Sequence, residues 1–451
     1  MEKSLSLWRP LAQVKYHTLS DRSWEKQRFV ARPLSRPWQG KLQPLLAINE
    51  SRLFVAAGDT LYSYVFTPCE DEGATPGVSF EASYQFNCQE AATRNDITGL
   101  VCAQDGGASR TLFVGFENGE LQRVRIPPCN PGQVDLPIDA SFCTTFNCHN
   151  GELIEALAVS GDSLLSMSIN GKAGLLNISS PNPSVQHTID LDTRAWSALL
   201  STSSSTPFAA FGTSSDTPLA IHAITPTSIS AIPTMKLHSS QQQDDSGLER
   251  PTAVYGIASA PPASPWGASD QIIVSGWFEG LVCVHDMRVS PTPALTFFDP
   301  WSFGPIYTVA CGGGEGARIA AGSARHSVVA FWDVRAATRG GWSVHAPGND
   351  SSPVYSIILE SSRLFGATQS RPFVYDFGPT VSPETYPSLP GTRGKKNGLS
   401  YKGRDRIGFH VTKYDHPEVK VHAGPLDPVQ PVSFNMADIP DRAQIQIGMG
   451  C

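Results

Sequence analysis

Ala253-Val254-Tyr255-Gly256, Ile272-Ile273-Val274-Ser275-Gly276 and Val282-Cys283-Val284-His285-Asp286-Met287-Arg288 are the successive apolar runs of a pattern that occurs three times between Pro251 and Phe377. The second copy begins Pro305-Ile306-Tyr307-Thr308, passes Arg318-Ile319-Ala320-Ala321-Gly322 and ends Val329-Ala330-Phe331-Trp332-Asp333-Val334-Arg335. The third begins Pro353-Val354-Tyr355-Ser356, passes Arg363-Leu364-Phe365-Gly366 and ends Phe373-Val374-Tyr375-Asp376. Tyr255, Tyr307 and Tyr355 mark the register, 52 and then 48 positions apart. The runs are short, β-branched or aromatic, and punctuated by Gly, Pro and Asp, so each reads as a strand.

A unit of this size is a small sheet that cannot cover its own apolar faces and must stack on neighbours. A period in the forties to fifties with three strand-like runs predicts the blade of a β-propeller, whose closed ring protects every face. The pairs His285-Asp286, Trp332-Asp333 and Tyr375-Asp376 end the third run of each copy. The aromatic members are expected to pack within the ring and the carboxylates to accept turn N–H groups. Asp286, Trp332, Asp333, Tyr375 and Asp376 are therefore assigned as structural blade residues.

Weaker copies precede these three. Unit one runs from Pro44 through Leu53-Phe54-Val55-Ala56-Ala57 to Leu61-Tyr62-Ser63-Tyr64-Val65-Phe66, and unit two contains Ile97-Thr98-Gly99, Leu112-Phe113-Val114 and the hairpin signal Asn118-Gly119. Gln85-Phe86 and Thr145-Phe146 read as outer strands. Unit three turns at Asn170-Gly171, and unit four, built on Ala195-Trp196-Ser197, Phe208 to Gly212 and Leu219 to His222, lacks the closing aromatic-Asp pair. The expectation is an all-β, seven-bladed propeller of four-stranded antiparallel blades over residues 43–378. Residues 1–42 fall outside the repeat, and Arg28 to Leu34 is placed as a strand closing the last blade, which removes an open edge. Residues 379–451, proline-rich and with the basic series Arg393, Lys395, Lys396, Lys402, Arg404 and Arg406, read as a partly ordered tail.

The net charge of −7 weighs against nucleic acid as main partner, since phosphate binding needs a positive field. Nine cysteines stand at no metal-ligand spacing, and Cys102 and Cys283 fall in strand runs, the usage of a reducing compartment. No apolar run is long enough to span a membrane and Met1 to Ser4 is not a signal peptide, so the expectation is a cytoplasmic or nuclear protein. No catalytic, cofactor or metal constellation is legible. Gly312-Gly313-Gly314-Glu315-Gly316 lacks the Lys-Ser/Thr of a phosphate loop and lies between strands, which makes it a hairpin turn. Cys143 and Cys148-His149 have no second ligand pair.

The repeat resembles that of WD-repeat proteins, which are mostly protein-interaction platforms, so the resemblance implies a non-catalytic binding module with protein partners and no small-molecule substrate. Ser6-Leu7-Trp8-Arg9-Pro10-Leu11 is similar to the end of an F-box. The chain thus resembles an F-box/WD-repeat protein lacking its box, which implies the substrate-recognition subunit of a cullin-RING ubiquitin ligase. The alternative is that Trp8 packs under the propeller. The Asp-x-Arg of Asp286 to Arg288 and Asp333 to Arg335 resembles that of receptors docking on the damaged-DNA-binding adaptor of such ligases, which implies adaptor contacts at Arg288 and Arg335. A scaffold with no ubiquitin role is the remaining reading.

Overall fold

Strand pairing follows the repeat closely. In the second copy, Arg318–Ser323 pairs antiparallel with Ile306–Gly312 on one side and with Val328–Asp333 on the other, and Gly341–His345 pairs outside that. Six buried residues in a row along Ile272–Trp277 and Leu281–Asp286 show why such strands are apolar throughout: both faces are covered by neighbouring sheets. The computed structural model describes residues 8–40, 42–68, 72–86, 95–179, 184–240, 250–265, 267–348, 350–387 and 408–418, all within one compact unit, Met1–Val419.

The strands form six sheets, of which one has nine strands. Those nine are two groups joined only where Ser214 and Ser215 meet Ala253 and Thr252. Counted so, seven strand groups follow one another among the described residues. Their innermost strands are Leu45–Ile48, Ile97–Cys102, Ile154–Ser160, Ala195–Ser201, Thr252–Ser259, Ile306–Gly312 and Val354–Leu359. Each lies against the next, and the last lies against the first. The groups close a ring, and the chain folds as a β-propeller.

Val30–Pro33 supplies the outer strand of the last blade, with Val30 opposite Asp376 and Pro33 opposite Phe373. Three blades depart from four antiparallel strands. Gln133–Ile138 adds to Gly77–Phe86 in parallel, Lys413–Asp415 adds to Gly341–His345, and in the fourth blade Leu219–Thr225 pairs with both Ser228–Ile229 and Met235–Leu237. Tyr386, beyond the last repeat, is buried against the final blade. The basic series from Arg393 to Arg406 lies outside the described residues.

Antiparallel pairing gives the ring two distinct rims. Innermost strands begin at the upper rim, as do the turns between second and third strands; the turns between first and second strands, and the ends of the third strands, lie at the lower rim. A helix at Pro10–Glu25, in the segment that the sequence reading left outside the repeat, lies across the lower rim. Pro10 pre-sets its first turn, and Gln27 at φ 50° ends it in the left-handed region. Its buried positions, Tyr16, Ser20 and Trp24, are four apart and share one face. The Tyr16 hydroxyl bonds Ser362 Oγ at 2.8 Å, and Trp24 Nε1 donates to the Ser361 carbonyl at 3.0 Å. The Trp24 ring stacks on Phe377 with centroids 3.4 Å apart and rests on Gly313 and Gly314, where a Cβ would come within about 3 Å of it. The glycine run is thus a turn between two strands, and its lack of side chains seats a tryptophan.

Candidate functional site

Each closing aspartate caps the turn that follows it. Asp286, Asp333 and Asp376 accept the backbone N–H two residues on, from Arg288 at 3.1 Å, Arg335 at 2.9 Å and Gly378 at 2.7 Å. Trp332 and Tyr375 are buried at 3% and 0% exposure, and Trp332 stacks on Phe297 at 5.6 Å. Each aspartate has a different set of cations. Arg288 folds back on Asp286 through Nε and Nη2. Asp333 takes Arg335 in the same way and also Arg318, 3.2 Å away on the adjacent strand. Asp376, with glycine in place of the turn arginine, pairs with Arg363 at 3.2 Å and accepts the Tyr386 hydroxyl, all of it fully buried. Burial pushes the Asp333 carboxyl up, but the hydrogen bonds and charges of Arg335 and Arg318 hold it below the usual range.

Arg288 and Arg335 therefore stand at equivalent turns of consecutive blades on the lower rim, their side chains 41% and 39% exposed. Both are held by their own aspartates, and Arg335 also pairs with Glu315. Trp8, the one described residue of the Leu-Trp run, is 8% exposed and packs edge-on against Tyr16 at 5.3 Å; Ser6 and Leu7 lie outside the described residues.

The upper rim carries an arrangement that the sequence reading missed. Six of the seven innermost strands have a bulge near their start, leaving Thr98, Glu155, Trp196, Tyr255, Tyr307 and Tyr355 out of the ladder. A bulge re-aims the side chain of its extra residue. The next residue is small in every case, and at Gly256 an added Cβ would lie 3.0 Å from Thr308 Cα, so the strands crowd at the axis. The re-aimed rings meet in a continuous arc. Trp196 to Tyr255 is 4.8 Å between centroids, Tyr255 to Tyr307 is 5.3 Å and Tyr307 to Tyr355 is 5.6 Å. All four are half-buried, and Phe278 beside Tyr255 is 53% exposed. Trp301 and Phe303, in the connection entering the Tyr307 strand, are 61% and 81% exposed. At the arc's end Arg194 lies 4.0 Å over the Trp196 ring and pairs with Glu155 at 3.0 Å. Burial pushes the Glu155 carboxyl up, against the pull of Arg194. Three of these rings are the tyrosines that mark the repeat, so the sequence located them without showing that they meet.

A catalytic reading finds little purchase. Folding brings Asp299, Ser343 and His416 together, but Ser343 Oγ and Asp299 Oδ1 both face His416 Nε2, at 2.9 and 3.6 Å, so the carboxylate cannot orient the imidazole from its other nitrogen. Ser343 is fully buried, and the cluster ties the 413–415 strand to its blade with the Tyr414 hydroxyl, which donates to Asp299 at 2.7 Å. His149 bonds Ser166 at 2.8 Å within its blade. Among the described residues no group of three or more His, Cys, Asp or Glu could hold a metal ion, and no helix is long and apolar enough to cross a membrane. A concavity of about 660 Å³ lies beside the first blade, lined by Trp38, Tyr62, Tyr64 and Phe80.

No protein-family profile and no curated protein matches the chain in sequence. Among solved structures it is similar to the WD40 β-propeller domain of Doa1, at 13% identity and a TM-score of 0.49, over 76% of this chain and 96% of that one.

Proposed function

We propose that this propeller is a non-catalytic protein-interaction module that grips a partner at its upper rim. The aromatic arc carries the reading. Four half-buried rings in successive contact, with Phe278 exposed beside Tyr255 and with Trp301 and Phe303 exposed in the connection entering the Tyr307 strand, form the kind of apolar centre with a polar surround on which protein interfaces concentrate their energy. More finely, we propose a substrate-recognition subunit of a cullin-RING ubiquitin ligase, with the target on the upper rim and the ligase on the lower. Arg288 and Arg335, oriented by their aspartates on adjacent blades, support docking on the damaged-DNA-binding adaptor. The F-box-like run leading into the lower-rim helix supports attachment through the Skp adaptor instead. A scaffold without a ubiquitin role would use the same upper rim and leave the lower rim to another partner.

Affinity purification from the protein's own cells with mass spectrometry tests this, comparing the natural chain with Tyr255→Ala/Tyr307→Ala and Arg288→Ala/Arg335→Ala. The expected result is loss of one set of proteins from the first variant and of an adaptor with its cullin from the second. Recovery of the Skp adaptor would favour the F-box route. If no cullin adaptor came down with the natural chain, the ligase reading would fall, and partners unaffected by the tyrosine variant would remove the upper rim from the interface.

A further inference from the structure

The arc already holds one cation of its own. Arg194 lies over the Trp196 ring at 4.0 Å and against the Glu155 carboxylate at 3.0 Å, so its guanidinium has an aromatic face on one side and a negative charge on another. Both contacts are favourable for a cation, and together they hold it better than either alone. The next step along the ring offers the same two kinds of group. Tyr255 and Phe278 stand 6.4 Å apart, and Glu279, exposed and next in the chain, lies close enough to push the Tyr255 hydroxyl up, after burial and Tyr307. Among the described residues no side-chain cation pairs with Glu279.

The charge of the rim points the same way. Its turns and connections over the first five blades carry Asp59, Glu117, Asp192, Asp216 and Glu279, all exposed. Against them stand Arg36, Arg250 and, in the sixth blade's turn beside Gly304, Arg325, all exposed, and Lys172 and Arg194, each held by a glutamate. A negative rim around an aromatic centre repels nucleic acid and acidic segments and draws basic ones.

Resting on the interaction reading above, we propose that the upper rim takes a basic peptide segment of a partner, with an arginine or lysine side chain seated over Tyr255 and Phe278 against Glu279, as Arg194 is seated over Trp196 against Glu155. The neighbouring rings, Tyr307 and Tyr355, extend the platform for the flanking residues. Specificity for a basic side chain comes from the carboxylate, and tolerance of its exact identity from the rings.

Fluorescence anisotropy with a labelled seven-residue peptide of alternating arginine and glycine tests the inference on the full chain, beside the same peptide with glutamate for arginine. The arginine peptide binds, the glutamate peptide does not, and raising salt weakens the binding. Glu279→Gln and Tyr255→Ala each weaken it about fivefold or more, the scale of a partly desolvated cation on a ring. Tyr255→Phe keeps the aromatic face and restores binding, which separates the site from a folding defect. Asp162→Asn, an exposed carboxylate removed from the lower rim, leaves binding unchanged. Equal binding of the two peptides, or binding indifferent to both Glu279→Gln and Tyr255→Ala, would overturn the proposal. If the tyrosine variant of the purification experiment still lost a partner, the arc would stand as an interface for something other than a cation.

Discussion

Asp376→Asn removes one charge from the most enclosed ionic group of the fold. Arg363 and Asp376 both have fully buried side chains; the Arg363 guanidinium donates through Nε to the carboxylate and through Nη2 to the Pro76 carbonyl, while Nη1 has no hydrogen-bond partner among the described residues. Asparagine keeps the shape and one acceptor, so the Gly378 turn can still form, but the guanidinium is left buried beside a neutral amide. Breaking a buried pair from one side costs about 3–5 kcal/mol, because the remaining charge cannot reach water. For an unfolding unit near 400 residues, an entropy of about 2.1 cal/mol/K per residue converts 4 kcal/mol into a midpoint shift of about 5 °C. The repeat supplies its own control: at Asp333, 15% exposed, two arginines face the carboxylate, and one of them, Arg335 at 39% exposure, can turn to solvent, so Asp333→Asn should cost less, about 2 kcal/mol. Urea unfolding followed by circular dichroism reads both. A cost below about 1 kcal/mol for Asp376→Asn, or equal costs at the two positions, would refute the account of the buried pair.

Trp24→Ala deletes a ring that is 2% exposed and should cost about 3–5 kcal/mol, as should Trp332→Ala, both read by chemical denaturation. Arg335→Ala should change unfolding free energy by less than about 1 kcal/mol, since its pairs are surface pairs and Arg318 still faces Asp333. Burial holds His149 and His285 at about 4, below their ordinary value of 6.5. The unfolded chain then binds protons first as pH falls, so stability is full above about 6.5 and is lost progressively toward about 4, by up to roughly 3 kcal/mol per histidine. Urea midpoints from pH 7.5 to pH 4.5 should show this loss, and His149→Asn and His285→Asn should flatten it. Burial pushes the Glu81 carboxyl up, but hydrogen bonds from Arg52 and Ser63 and the charges of Arg52 and Arg110 hold it at about 2. Its contribution should survive to pH 4.5 and fade only toward pH 2.

The blades were legible because burial on both sheet faces writes itself into their middle strands, and Tyr255, Tyr307 and Tyr355 keep register even where the spacing drifts from 52 to 48. Their second role was not legible. It depends on bulges, which leave no composition signal, and on Trp196, which sits in the blade without a closing aromatic-Asp pair. The Pro10–Glu25 helix escaped notice because its docking face is only Tyr16, Ser20 and Trp24, while Leu11 and Val14 are exposed at 80% and 63% and spoil the amphipathic pattern. Arg288 and Arg335 were legible only as a repeated Asp-x-Arg pattern; their hold on their own aspartates depends on the turn geometry that follows each third strand. The cluster of Asp299, Ser343 and His416 joins segments more than forty residues apart and follows from ring topology alone.

The strand that completes the last blade is made long before that blade. Val30 lies opposite Asp376, 346 positions later. At about 5–20 residues per second, a ribosome takes roughly 20–70 s to cover that distance, during which Val30–Pro33 and the Trp24 face have no native partner. The early end of the chain therefore waits through most of its own synthesis with an apolar surface and a strand edge uncovered, a state that invites chaperone binding or pairing with another nascent chain. The ring cannot be closed by this strand until Phe373 to Asp376 have been made.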